Sequence, residues 1–270
     1  MATWRSACLF SWLLAACGPA TTADEIPVAP DARPGSRDAA PSGGDVAVYA
    51  HSADSLYRID PETLSVTLVA AFNFPDLFGQ MTDIALDQSG QMIGISFDTV
   101  YSVDKTTAVC TFIAQLDRPF NGLSFVPVSE IDGATSEVLV GAAEEGTLHR
   151  LDPATGVSTR IGSYGGDYTS SGDIVSVAGF GTVAPAKSFA AASDLLVRVN
   201  PMTGAVTPIG ETGVTNIWGL GFWGDKVYGF TEDKQFVLID VTTGRATKVS
   251  SSASVSWWGA GVTTAAAVIL

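Results

Sequence analysis

The chain has 270 residues, 46% of them hydrophobic, which suits one large core and requires no second domain. Acidic residues outnumber basic ones 28 to 14, and a formal charge of -14 argues against a nucleic-acid surface and against adsorption to anionic lipid. With 2 histidines in the whole sequence, a multi-histidine metal centre is excluded as well.

In chain order, Arg5 precedes an apolar run from Ala7 to Ala16 that is too short to remain in a bilayer as a spanning helix, so residues 1–16 read as a signal peptide. Leu14-Ala15-Ala16-Cys17 resembles the lipobox of bacterial lipoproteins, in which cleavage precedes a cysteine that is then acylated. The resemblance implies Cys17 as the lipid (palmitate-type) site. Gly18, where an aspartate would signal retention, implies sorting to the outer membrane. An ordinary secretory signal that contains a cysteine is the other reading. Residues 17–44 are rich in Ala, Pro, Asp and Gly without a hydrophobic period, which predicts a disordered tether. With Cys8 leaving in the signal and Cys17 acylated, Cys110 has no disulfide partner, and its apolar setting predicts a small buried hydrophobe.

From residue 45 to 270 one unit recurs: an apolar strand, then Asp or Asn, often followed by Pro-x-Thr-Gly. It appears at Leu56-Tyr57-Arg58-Ile59-Asp60, Val100-Tyr101-Ser102-Val103-Asp104 and Leu148-His149-Arg150-Leu151-Asp152. It returns at Leu196-Val197-Arg198-Val199-Asn200 and Phe236-Val237-Leu238-Ile239-Asp240. Successive units lie 40 to 48 residues apart, a period that suits four short strands. The Asp-Pro-x-Thr-Gly stretch is turn chemistry, with Asp accepting local N–H groups, Pro fixing φ and Gly taking a left-handed position, and needs no calcium. The unit resembles the NHL and YVTN-type propeller repeats of exported bacterial proteins, which implies a fold and no particular activity.

With strands named A to D from the axis outward, A reads Ile84-Ala85-Leu86, Leu123-Ser124-Phe125, Val175-Ser176-Val177 and Leu220-Gly221-Phe222, each with a small middle residue. Strand B carries small residues at Gly94, Gly141, Ala191 and Gly229. The last such segment, Trp257 to Val262, matches strand A but has no B, C or D after it, whereas the first unit opens with a B-like strand at Val46 to Ala50 and has no A. The C-terminal strand is therefore expected to complete the N-terminal blade, giving an all-β, five-bladed β-propeller without an exposed edge.

Chemistry is sparse. His149 takes the strand C position held elsewhere by Tyr57, Tyr101, Val197 and Val237, which predicts a core or interblade role. His51 is expected in an exposed loop after the first B strand, with no Gly-x-Ser-x-Gly elbow to serve. A–B and C–D turns are assigned to one face and B–C loops and D–A links to the other. The second face gathers Asp54, Asp76, Asp98, Asp117, Glu144, Glu145, Asp167, Asp173, Asp194, Glu211, Glu232 and Asp233 against Arg118 and Lys234. It reads as a surface for a basic partner or as a solvated loop face. Asp83, Asn121, Asp173, Trp218 and Trp258 fall near the starts of inner strands and are the candidate ligand-binding residues, the tryptophans either stacking on a ligand or packing. The oxygen ligands are similar to the Glu/Asn/Asn/Asp calcium ring of gluconolactonase-type propellers, but the glutamate is missing and the residues do not align at one position. The expected protein is a monomeric, non-catalytic binding or scaffold propeller, lipid-anchored at the outer membrane, with an envelope protein or small ligand at its acidic face and no cofactor. The alternative is a calcium-dependent lactonase-type hydrolase with Asp83, Asn121 and Asp173 on the metal and His51 transferring a proton.

Overall fold

A computed structural model describes residues 47–75, 79–249 and 254–269; the signal peptide, Cys17, the tether and Asp76 lie outside the described residues. Among the described residues, short runs of β-branched and aromatic residues, punctuated by Asp, Gly and Pro, form twenty-one strands in five antiparallel sheets, and the sheets are the blades of a propeller.

The first blade holds β1 (Val48–His51), β2 (Ser55–Ile59) and β3 (Val66–Ala71), and the second β4 (Asp83–Leu86), β5 (Met92–Ile95), β6 (Thr99–Val103) and β7 (Cys110–Gln115). The third comprises β8 (Gly122–Val126), β9 (Val138–Ala143), β10 (Thr147–Leu151) and β11 (Ser158–Ser163). In the fourth, β12 (Thr169–Ser170) and β13 (Val175–Val177) both pair with β14 (Gly181–Lys187), followed by β15 (Leu195–Val199) and β16 (Val206–Glu211). The fifth contains β17 (Ile217–Trp223), β18 (Lys226–Thr231), β19 (Phe236–Asp240) and β20 (Ala246–Lys248), and β21 (Gly259–Gly261) returns to the first. The expected closure is present: β21 pairs with β1 through Tyr49↔Gly261, Ala50↔Ala260 and His51↔Gly259. Trp257 is fully buried beside this seam, edge-on to Tyr57 at 5.3 Å and tilted against Phe230 at 5.1 Å. Burying such a side chain contributes about 1.5–3 kcal/mol.

Apolar side chains fill the wedges between blades. Tyr49 and Leu56 meet Met81, Ile84 and Tyr101 between the first and second, and Cys110 is a buried member of that cluster. The registers show which small residues the narrow ring selects. Strand B presents Ala50, Gly94, Gly141, Ala184 and Gly229 at one position, opposite Tyr57, Tyr101, His149, Val197 and Val237. Ala191 was expected there but lies in the turn after β14; Ala184 takes its place because the fourth blade's B strand starts earlier. In strand A the small position falls on Val175 in that blade, not Ser176, since Val175 pairs with Val183 one step before Ala184.

The repeated turn forms as its residues dictate. Oδ1 of Asp60, Asp104, Asn200 and Asp240 each accepts two backbone N–H groups from the following residues, and Asp152 Oδ1 accepts that of Ala154. The left-handed position is Gly156, Gly204 or Gly244, but Leu64 (φ 57°) and Ala108 (φ 55°) in the two units that lack the glycine. Several of these C–D turns wedge against the end of the preceding blade's outer strand: Gly156 O accepts the Asp117 N–H, and across the first seam Asn73 donates its N–H to Ala108 O and accepts the Cys110 N–H.

Beyond β21 the chain does something the repeat does not announce. Residues 263–269 cross the A–B side of the ring. Thr263 bridges to Leu86 and donates to Asp87 O at 2.7 Å, Thr264 donates to the Glu137 carboxylate and its O accepts the Ala178 N–H, and Gly224 pairs with Val268. The tail thus touches the second, third, fourth and fifth blades and covers that end of the channel.

Candidate functional site at the open mouth

Counting from the register, the first inner-ring position of each blade is Gly259, Asp83, Gly122, Asp173 and Gly219. Side chains at all five would collide. A Cβ on Gly219 would lie 2.6 Å from the Gly259 backbone, and one on Gly259 would enter the space held by the His51 ring and the Asp83 carboxyl. Glycines therefore leave room for two carboxyls, which reach towards each other past Gly122.

Both carboxyls are fully buried. Asp173 accepts the Ile174 N–H at 2.6 Å and the Leu220 N–H at 2.7 Å, and Asp83 accepts the Ile84 N–H at 2.8 Å. Asp83 Oδ2 has no donor among the described residues. Burial, followed by the neighbouring Asp173 charge, holds the Asp83 carboxyl well above the usual range, while burial raises Asp173 to about 7 against the pull of its N–H donors. Two such groups in a low-dielectric channel keep a proton between them. Of the two, Asp83 has the fewer N–H donors, and the shared proton belongs to the pair.

His51 is not in an exposed loop. It is the last residue of β1 and fully buried, because the closing strand lies on top of it. Nδ1 donates to Ser52 O at 2.8 Å, which leaves Nε2 as an acceptor 3.8 Å from Asp83 Oδ1. That spacing falls within ion-pair range, but burial lowers the His51 pKa to about 4, so the imidazole is neutral and the contact is not an ion pair. His149 is also buried, accepting from Arg118 at 3.0 Å, in the interblade role expected of it.

One residue outward along the inner strands the channel opens. A cavity of about 320 Å³ is walled by Trp218, Trp258, Phe97 and Phe120, with Thr82, Asn121, Ser170, Ser171, Gly172, Glu144, Lys187 and Asn216 between them. Trp258 stands perpendicular to both Trp218 (6.3 Å, 85°) and Phe97 (6.3 Å, 75°). Asn121 Oδ1 is buried here without a hydrogen-bond partner. Of the five predicted binding residues, Asn121, Trp218 and Trp258 line this cavity, and Asp83 and Asp173 lie immediately beneath it. Phe97, Phe120 and Lys187 were missed; they sit in B–C loops, D–A links and a strand end that vary between units, so no repeat pattern marks them. A second cavity of about 370 Å³ shares Lys187 and Asn216, but its single aromatic, Phe189, is 97% exposed and forms no wall.

The acidic face is smaller than its sequence inventory. Asp173 and Asp194 are buried, the latter accepting from Ser171 at 2.6 Å and from the Ile217 N–H at 2.8 Å to tie the fourth blade to the fifth. Asp117 accepts the Ser158 N–H across a blade seam, and Asp167 accepts the Phe189 N–H. Both Asp173 oxygens accept backbone amides, and among the described residues no group of three or more His, Cys, Asp or Glu side chains is placed to hold a metal.

No family profile matches the sequence, and no curated protein matches it. Among solved structures, it is similar to a protein of unknown function from Bacteroides caccae at 8% identity and a TM-score of 0.42, covering 75% of this chain and 72% of that one. It is also similar to the computationally designed Ika8 protein at 13% identity and a TM-score of 0.34, covering 80% of this chain and 74% of the design.

Proposed function

We propose that this chain is a non-catalytic binding propeller of the bacterial cell envelope, held at the outer membrane by an acylated Cys17, which takes a small ligand in the mouth cavity. The observation that carries the reading is the blind channel. One end is covered by residues 263–269, and the other opens into a space of about 320 Å³ with perpendicular aromatic walls and polar groups between them. Aromatic walls with a few convergent polar groups are the usual make-up of small-ligand sites. Binding without catalysis follows from the buried acids, whose oxygens serve backbone amides and each other.

The test of binding is thermal. A compound that raises the unfolding midpoint of the full chain should lose that effect in Trp258→Leu and in Asn121→Ala. Compounds that stabilise all three proteins equally would show that the ligand sits elsewhere. The anchor is tested separately: Cys17→Ala should move the protein from membrane to soluble fractions, since acyl burial contributes about 0.8 kcal/mol per CH₂. Unchanged retention would reject the lipid site.

A further inference from the structure

The mouth cavity carries a charge and donor pattern that selects among ligands. Its aromatic lining sets Trp258 roughly perpendicular to both Trp218 and Phe97, so ring faces and edges alternate along the wall. Asn121 Oδ1, buried and unpartnered among the described residues, is an acceptor in want of a donor. Glu144 adds an exposed carboxylate at the rim of the same cavity. Around it the B–C loops and D–A links bring Asp98, Asp117, Glu232 and Asp233 against Lys234, while Arg118 and Glu145 pair with each other at 2.6 Å. Burial raises the Asp194 carboxyl against the pull of Ser171, the Ile217 N–H and the charge of Lys187, the one cation among the residues lining the cavity.

A neutral polyol would donate O–H bonds to Asn121 and Glu144 but carries no charge for the ring faces or the rim to attract. An anion would meet a field of its own sign. A cation with N–H bonds answers all three features: its charge lies against the ring quadrupoles, its N–H groups donate to Asn121 and Glu144, and the acidic rim raises its local concentration. We propose that the mouth cavity binds an organic ammonium ion, a protonated amine seated between Trp218, Trp258 and Phe97 with its N–H bonds directed to Asn121 Oδ1 and Glu144. This rests on the reading of the cavity as a ligand site and adds the chemical class.

Calorimetric titration of the full chain in detergent, with 1,5-diaminopentane as the cationic probe and 1,5-pentanediol and glucose as neutral ones, separates the two statements. The diamine should bind at one site at least about tenfold more tightly than the diol, and more weakly as salt is raised. Glu144→Gln, at an exposed position that the fold does not need, should weaken the diamine several-fold and leave the diol unchanged. Lys187→Met should tighten the diamine, because it removes a like charge from the cavity wall. Equal or tighter binding of diol or glucose, abolished by Trp258→Leu, would overturn the ammonium class and leave the cavity as a ligand site. Diamine binding at many sites, or binding indifferent to Trp258→Leu and Glu144→Gln, would assign it to the acidic surface and overturn the proposal. Failure of all probes to bind at ~10 mM, weaker than about 3 kcal/mol, would overturn both readings.

Discussion

At the scale of single residues the inner ring turns on a proton shared between two buried carboxyls. Asp83→Asn preserves the geometry, because the new amide donates to Asp173 in place of that proton and its oxygen still accepts the Ile84 N–H. Asp173→Asn instead keeps an oxygen for only one of the Ile174 and Leu220 N–H groups and turns its NH₂ towards the other, at a cost of about 1–3 kcal/mol. The pH dependence follows from linkage. Native Asp173 holds its proton to about pH 7 and Asp83 is also raised, whereas the unfolded chain releases both near ~4. The pair's contribution is therefore full at low pH and is lost as pH rises through 7. His51 opposes it: native His51 stays neutral down to about 4 while the unfolded ring protonates near ~6.5, so its contribution is lost as pH falls through that window. Above ~6.5 only the acid pair of these three groups still titrates. Wild-type midpoints should fall between pH 6.5 and 8, and Asp83→Asn should flatten that fall and melt higher at pH 8. A variant that melts lower than wild type at pH 8 would show that no proton is shared. The sequence made Asp83 and Asp173 candidates from their place near strand starts, yet could not pair them. Their meeting depends on Gly122 between them lacking a side chain, and on a register that only the closed ring fixes.

The strand-to-strand turn is where element-scale reading succeeded and then stopped. Asp, Thr and Gly at fixed offsets identified the turn and its left-handed residue, because those preferences are local and short in range. What the turn rests on was invisible, since the contact lies a whole blade away. A Cβ on Gly156 would run into the Gln115 carbonyl of the preceding blade, whereas Gly133, with a similar φ of 73°, has nothing within 4 Å. Gly133→Ala should cost about 1 kcal/mol for the left-handed backbone alone. Gly156→Ala should cost that and a further ~1–3 kcal/mol for overpacking the seam. Equal losses in denaturant unfolding would show that the seam yields freely. The same locality explains Ala191: a small residue at the expected spacing looked like a strand B position, but the fourth blade's loop is long and the pairing register assigned Ala184.

For the molecule as a whole, closure and plugging are separable. Truncation after Ser256 removes β21 and the Trp257 packing and leaves β1 as an open edge, so the chain should lose cooperative unfolding and aggregate. Truncation after Val262 keeps the ladder and removes only the tail, with its buried Ala266 and its bonds to Asp87, Glu137, Ala178 and Gly224; it should stay monomeric with a lowered midpoint. If the shorter chain melts at the parental temperature, the closing strand is not what holds the ring. Five-fold closure was legible because the repeat was cut between its A and B strands at the two ends of the chain. The tail was not, because it matches no unit and its partners are polar groups scattered over four turns. One feature of β1 bears on mechanics. The strand begins at Val48 on the tail-covered side and ends at His51 beneath the mouth, hydrogen-bonded along both edges to β21 and β2. A pull applied ahead of Val48 would thus enter the ring from its tail-covered side. The load would fall on a strand that must shear two ladders at once before it can come out.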